Sequence, residues 1–172
     1  MNFRIGFGYD VHRLEEKTPF YLGGIKIEHH KGAVGHSDAD VLLHAICDAI
    51  LGAAALGDIG THFPDTDPAY RGIESTILLQ KSAELLASSG YRIGNIDTTI
   101  VLQTPRIKPY IPQMQHHIAG KLGLSDDQVS VKATTEEKLG FTGREEGVSA
   151  YAVVLIHGDW TRGRLQRSSI LP

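Results

Sequence analysis

Early in the chain, three side chains have the types and spacing to share a metal ion. Asp10 and His12 stand two residues apart at the end of an alternating stretch, Phe3 to Tyr9. Extended backbone projects residues i and i+2 from one face, so a carboxylate and an imidazole converge there while Val11 faces away. His44 lies in a segment whose apolar positions, Val41, Leu42, Ala45, Ile46, Ala49, Ile50 and Ala53, recur at helical spacing. Alone, a histidine on such a helix is more often hydrogen-bonded or solvated than a ligand. Joined to Asp10 and His12 it completes a His, His, Asp set suited to zinc, with the fourth tetrahedral position open as in catalytic sites. Asp40 and Asp48 lie one turn before and after His44, which makes them candidates to orient its ring.

Two further stretches carry polar chemistry. His36 and Ser37 precede the helix, where free backbone N–H groups favour an anion, and Ser37 and Asp38 are both good caps. After the helix, Gly57 to Pro68 (GDIGTHFPDTDP) has two glycines, two prolines and three aspartates in twelve residues, so it reads as a loop. Its carboxylates suit either solvent or sugar hydroxyls. The spaced ligands and terminal Glu of an EF-hand are absent. Residues 134–147 read as a loop, or a loop with one helical turn, holding hydroxyls, acids, Lys138 and Arg144.

These groups need a scaffold. Residues 20–29 read as a hairpin broken at Gly23-Gly24, with His29 and His30 on the surface and Gly32 to Gly35 as a flexible lead into the helix. A purely architectural helix is predicted near 74–89, stopped by Gly90. A strand over 96–103 turns at Thr104-Pro105-Arg106 into a helix near 110–122, whose His116 and His117 receive no role. Short and long strands follow at 129–133 and 148–156. The order implies one α/β (α+β) domain over residues 1–157, a mixed sheet with helices packed on one face. Consecutive apolar residues in the last strand suggest that both its faces are buried, one of them by another subunit. Residues 158–172 read as a tail, and Arg162, Arg164 and Arg167 as its solubilising end.

With 172 residues and a net charge of −3, nothing favours nucleic acid or an anionic membrane as partner. A single cysteine, Cys47, reads as core filler and suits a reducing compartment. No leader pattern or membrane-length apolar run is read, which points to the cytoplasm.

Four motifs in order, GYDVHRL at 8–14, HSDADVLLHA at 36–45, GDIGTHFPDTDP at 57–68 and KATTEEKLGFTGREEG at 132–147, resemble the 2-C-methyl-D-erythritol 2,4-cyclodiphosphate synthase family of non-mevalonate isoprenoid synthesis. The resemblance covers about residues 3–157 and implies a homotrimer with active sites at subunit interfaces around a central cavity. It implies that Asp10, His12 and His44 hold Zn²⁺ or another divalent transition metal, with Asp10, Val11 and His12 also lining the substrate. His36 and Ser37 would lie beside the reacting phosphates, and Asp58, Ile59 and Gly60 at the ribose. Phe63, Pro64, Asp65, Thr66 and Asp67 would cover the methylerythritol part. The cytidine pocket would be Leu102, Gln103, Thr104, Pro105, Arg106, Ile107 and Lys108, largely through backbone atoms and from the neighbouring subunit. Thr134, Thr135, Glu136 and Glu137 would form the diphosphate segment, with Mg²⁺ or Mn²⁺ on Glu137, and Phe141 and Arg144 would complete it.

The implied reaction is intramolecular phosphoryl transfer releasing CMP, in which His36 and Thr135 act as catalytic donors. Such chemistry is carried by positioning and charge neutralisation. Glu136 stands where the family commonly has a third Thr, and is expected to point to solvent because an inward carboxylate would repel the diphosphate. A zinc phosphohydrolase and a non-catalytic nucleotide- or isoprenoid-binding trimer are the rival readings. The HExxH pattern is absent and only three ligands are present, which weighs against each in turn.

Overall fold

Strand β1 (Asn2–Glu16) runs longer than its apolar stretch, and its alternation decides the architecture. Phe3, Ile5, Phe7, Tyr9 and Val11 are exposed on one face. On the other, Gly6 and Gly8 lie beneath helix α1 (Val41–Ala53). A Cβ on Gly6 would sit 1.8 Å from the Ala49 carbonyl oxygen, and one on Gly8 would sit 1.9 Å from that of Ala45. Only glycine lets helix and strand backbones approach so closely. Asp10 and His12 continue the same face, so they lie in the strand's interior rather than at its end, aimed at the first turns of α1.

Ten of the thirteen α1 residues are buried, so the helix is enclosed rather than amphipathic at the surface. It starts at Val41 because Asp40 is its cap, accepting from the Leu43 amide at 3.1 Å; neither Ser37 nor Asp38 fills that position. Asp40 also accepts from the amides of Gly23 at 2.9 Å and Gly24 at 2.6 Å. Both glycines have positive φ, as the tight turn between β2 (Tyr21–Leu22) and β3 (Ile25–Lys26) requires. One fully buried carboxylate thus ties the expected hairpin to the helix start, and burial raises its pKa against the pull of these N–H groups.

The stretch expected to be a flexible lead is instead strand β4 (Lys31–Val34), antiparallel to the end of β1. Four residues containing Gly and Ala show no alternation to read, yet the chain is held closely, since a Cβ on Gly32 would lie 2.1 Å from the Pro19 oxygen. Helix α2 (Ile59–His62) and a 3-10 turn at Pro68–Tyr70 interrupt the predicted loop. Helix α3 (Ser75–Ser88), strand β5 (Tyr91–Val101), helix α4 (Ile111–Leu122), strand β6 (Val129–Thr134), the helical turn α5 (Gly140–Gly143) and strand β7 (Gly147–Gly158) follow. The strand order is β4-β1-β7-β5-β6, antiparallel except for β5 and β6, and α4 lies in the crossover between those two.

Helices α1, α3 and α4 cover one face of this sheet. Val148, Ala150, Ala152, Val154 and Ile156 of β7 are buried, whereas Tyr151 and Val153 on its other face are exposed. Within one chain, therefore, β7 is covered on one side only, and its other face is open. The computed structural model describes residues 2–158. Of the expected tail, residues 158–172, Gly158 instead ends β7, and the rest, with Arg162, Arg164 and Arg167, lies outside them. Among the described residues no helix is long and apolar enough to cross a membrane.

Cys47 is fully buried in α1, and burial pushes its thiol pKa up to about 12. The native protein should resist alkylation at about pH 8.5 and react once unfolded in urea, as mass spectrometry would show. Gly8→Val should destabilise the fold by about 3 kcal/mol in urea titrations, because backbone rather than a yielding side chain opposes the new atoms.

Candidate metal centre and substrate site

The close contact of β1 with α1 brings the three predicted ligands together. Asp10 Oδ2 lies 3.0 Å from His12 Nε2 and 3.0 Å from His44 Nδ1, and the two nitrogens are 3.1 Å apart. Ligands at about 2.0–2.1 Å around a tetrahedral ion are separated by roughly 3.3–3.4 Å, so a shift of a few tenths of an ångström seats a metal. One carboxylate and two imidazoles are also the donor types zinc prefers. These residues can therefore hold a metal ion.

The charges reinforce one another. Burial alone would raise the Asp10 pKa, but hydrogen bonds from His12 and His44, and their charge, hold it well below the usual carboxylate range. Burial opposes protonation of His44, yet the hydrogen bond and charge of Asp10 carry its pKa above the ordinary imidazole value.

Neither Asp40 nor Asp48 orients the His44 ring. Asp40 is occupied by three amides, and Asp48 accepts from the Ile59 amide at 2.7 Å. Sharing a side of the helix was not enough, because main-chain donors lay nearer. Instead His44 Nε2 faces Ser75 Oγ at 2.8 Å and Ser37 Oγ at 3.1 Å. Ser75, fully buried at the start of α3, donates its hydroxyl to Asp38 and its amide to the same carboxylate at 3.0 Å. So α3 is not purely architectural. Sequence reasoning missed Ser75, since a serine opening a helix reads as a cap and nothing couples it to a histidine 31 positions earlier.

Beside this group lies a cavity of about 540 Å³, lined by His36, Asp65, Thr66, Asp67 and Arg71 among others. His36 is exposed, with Nε2 3.9 Å from Asp65 Oδ2. Arg71 was not anticipated, because a lone arginine in a polar loop carries no pattern. Phe63 turns toward Tyr70, their ring centroids 5.5 Å apart, and Pro64 follows it into the loop. Asp58 caps α2, accepting from the Thr61 amide at 2.8 Å and its hydroxyl at 2.7 Å, which lowers its pKa. Four residues are too short for periodicity, which is why the helix at Ile59 and Gly60 was not foreseen.

A second cluster of predicted residues lies across the sheet. Leu102 donates its amide to the Thr134 carbonyl at 3.1 Å, and Lys138 donates its amide to Gln103 Oε1 at 3.2 Å, knitting two loops together. Thr104-Pro105 is a cis peptide; Arg106 is exposed, Ile107 is buried, and Lys108 opens a 3-10 turn. Thr135 Oγ1 donates to Glu137 Oε1 at 3.3 Å. Glu136 is exposed, as expected, and its carboxylate also accepts the hydroxyl of the buried Thr142. Phe141 is partly exposed, and Arg144 pairs with Glu146 at 2.9 Å. Val11 lies on the open face of β1, away from Asp10 and His12.

In register, Asp10 pairs with Ala150, Ala150 with Ile100, and Ile100 with Ala133. Three strand spacings of about 4.8 Å separate Asp10 from Ala133 by roughly 14 Å along the sheet. The metal group and the second cluster therefore lie on well-separated strands of one sheet.

A mixed sheet of this order, with three possible metal ligands gathered between β1 and α1, defines an α/β protein, and a match to the YgbB family spans residues 3–157. The chain belongs to that family. It is 62% identical over 156 residues to a 2-C-methyl-D-erythritol 2,4-cyclodiphosphate synthase of Syntrophobacter fumaroxidans, covering 91% of this chain and 98% of that one. To the synthase of Bacteroides thetaiotaomicron it is 59% identical, covering 92% and 100%. Among solved structures, the synthase in a CDP-bound form superposes with a TM-score of 0.83 at 38% identity, covering 90% of this chain and 100% of that one. The bifunctional IspDF of Campylobacter jejuni gives 0.88 at 42% identity, covering 94% of this chain and 44% of that longer one.

The ionisations set a pH dependence for protein stripped of metal. The lowered Asp10 pKa gives stability present above about pH 4 and lost as pH falls; the raised His44 pKa gives stability present below about pH 6.5 and lost as pH rises through its folded value. The melting temperature after chelation should therefore decline from about pH 6 toward pH 9. Zinc added at the upper end should restore it, because the neutral ring nitrogens are then free to bind.

Proposed function

We propose that this chain converts 4-diphosphocytidyl-2-C-methyl-D-erythritol 2-phosphate into 2-C-methyl-D-erythritol 2,4-cyclodiphosphate and CMP, in the cytoplasm. The observation that carries this reading is the convergence of Asp10, His12 and His44 on one point, in a chain belonging to the YgbB family. Residues 1–157 form the catalytic domain, and 158–172 a tail. An oxygen of the 2-phosphate attacks the β-phosphorus; the bond from the β-phosphorus to the bridging oxygen breaks, and CMP leaves with the electron pair. No general base is needed, since the attacking phosphate is already anionic near neutral pH.

Asp10, His12 and His44 would hold Zn²⁺, and Glu137 Mg²⁺ or Mn²⁺; when bound, these cations supply charge neutralisation for the diphosphate and the leaving group. His36 and Thr135 donate hydrogen bonds to the reacting phosphates. Ser37 is a further phosphate-side residue, while Asp58, Ile59 and Gly60 take the ribose. Residues 63–67 cover the methylerythritol part. Leu102 to Lys108 receive the cytosine, largely through backbone atoms, and Thr134 to Glu137 with Phe141 and Arg144 receive the diphosphate.

The enzyme works as a homotrimer whose active sites combine half-sites from neighbouring subunits. Two features support this: the roughly 14 Å between half-sites within one chain, and the open apolar face formed by Phe3, Ile5, Phe7, Tyr9, Val11, Tyr151 and Val153.

Phosphorus NMR of the protein incubated with the cytidine substrate tests the reaction. A cyclic diphosphate plus CMP is expected, whereas free phosphate or unchanged substrate would sink the proposal. His44→Ala should abolish turnover with far-UV circular dichroism unchanged, and Thr135→Ala should lower kcat by about 10²-fold.

A further inference from the structure

We infer that Ser75 and Asp38 are positioning residues that fix which nitrogen of His44 is free to take a metal. The inference rests on reading Asp10, His12 and His44 as the metal group, and it concerns what holds the His44 ring from its other side. An imidazole with one proton is a donor at one nitrogen and an acceptor at the other, and only the unprotonated nitrogen can ligate. His44 Nδ1 faces Asp10 and His12, and Nε2 faces Ser75 Oγ at 2.8 Å.

The direction of each hydrogen bond follows from counting protons. An ionised carboxylate can only accept. Asp38 takes the Ser75 amide at 3.0 Å on one oxygen, and the Ser75 hydroxyl, together with the Asp40 amide at 3.2 Å, on the other. Ser75 has one hydroxyl proton, and Asp38 holds it. What Ser75 offers His44 is therefore a lone pair, so Nε2 carries a ring proton, and Nδ1, whose proton Asp10 accepts when no ion is bound, is the nitrogen a metal can take.

Ser37 fits the same direction. Its oxygen, 3.1 Å from Nε2 and 3.3 Å from Ser75 Oγ, accepts the Ala39 amide at 3.1 Å, and its own proton is free to go to Ser75. Ser75 is fully buried, so water does not compete for these bonds. Metal-bound histidines commonly have a carboxylate against the other nitrogen; here a serine is interposed, on a different helix from the ring.

Two substitutions break the chain differently. Ser75→Ala removes the acceptor facing Nε2. Asp38→Asn keeps the shape but must turn an NH₂ toward the Ser75 hydroxyl or the Ser75 amide, so it inverts or opposes a bond the carboxylate accepted. Zinc binding to the chelated proteins would be measured by competition with a chromophoric chelator, beside His44→Ala. The protonated nitrogen of His44 would be read by long-range ¹H–¹⁵N NMR of the zinc-loaded wild type.

Expected are an Nε2–H ring in the wild type and zinc affinity lowered roughly 10- to 100-fold in both variants, with unchanged far-UV circular dichroism. Wild-type affinity in both folded variants, or an Nδ1–H ring in the wild type, would overturn the inference and leave the metal reading standing. His44→Ala binding zinc as tightly as wild type would instead remove the metal reading, and the inference with it. Asp38→Asn keeps the test open even if Ser75→Ala fails to fold.

Discussion

The closeness of one strand to one helix governs the site. Gly6 and Gly8 let α1 rest on the backbone of β1, with Ala45 and Ala49 carbonyls where side chains would otherwise stand. The same spacing, continued two and four residues along β1, brings Asp10 and His12 within 3.0 Å of a shared point with His44. A larger residue beneath the helix would hold the two elements apart and leave the three donors without a common centre. The site is thus a product of packing: short side chains in the middle of the contact set the separation, and longer polar ones at its end use it.

Carboxylates, fully buried at Asp40 and half-buried at Asp10, Asp38 and Asp48, then lock the helix into its surroundings, each in a different direction. Asp40 gathers the amides of the glycine turn, Asp38 holds the start of α3, Asp48 holds the Ile59 amide, and Asp10 draws both imidazoles. Leaving such groups unpaired inside a protein costs several kcal/mol, so each works as a directional clamp. Rigid placement of this kind suits phosphoryl transfer, where the protein contributes position and charge more than covalent chemistry.

Much of this scaffold was legible because it repeats. Alternation revealed β1 and the shared face of Asp10 and His12, apolar spacing revealed α1 and α3, and Gly23-Gly24 revealed the hairpin. Elements below one period were hidden: β4 with its four residues, two of them Gly and Ala, and α2 with a single turn. Side-chain partners that are main-chain amides were hidden too, which is why Asp40 and Asp48 were assigned to His44 while Ser75 and Ser37 do that work. The bond from Thr142 to the exposed Glu136 escaped notice because a loop ending in a single helical turn carries no rule for where a side chain turns.

The bond from Asp48 to Ile59 gives α1 the character of a gauge. His44 and Asp48 are one helical turn apart, about 6 Å of rise, and that interval cannot stretch without breaking the helix. Whatever shapes residues 60–67 adopt, the point from which they depart keeps a constant offset from His44. Reach, for any molecule spanning the two, is therefore measured by the pitch of a buried helix and not by the looseness of a surface segment.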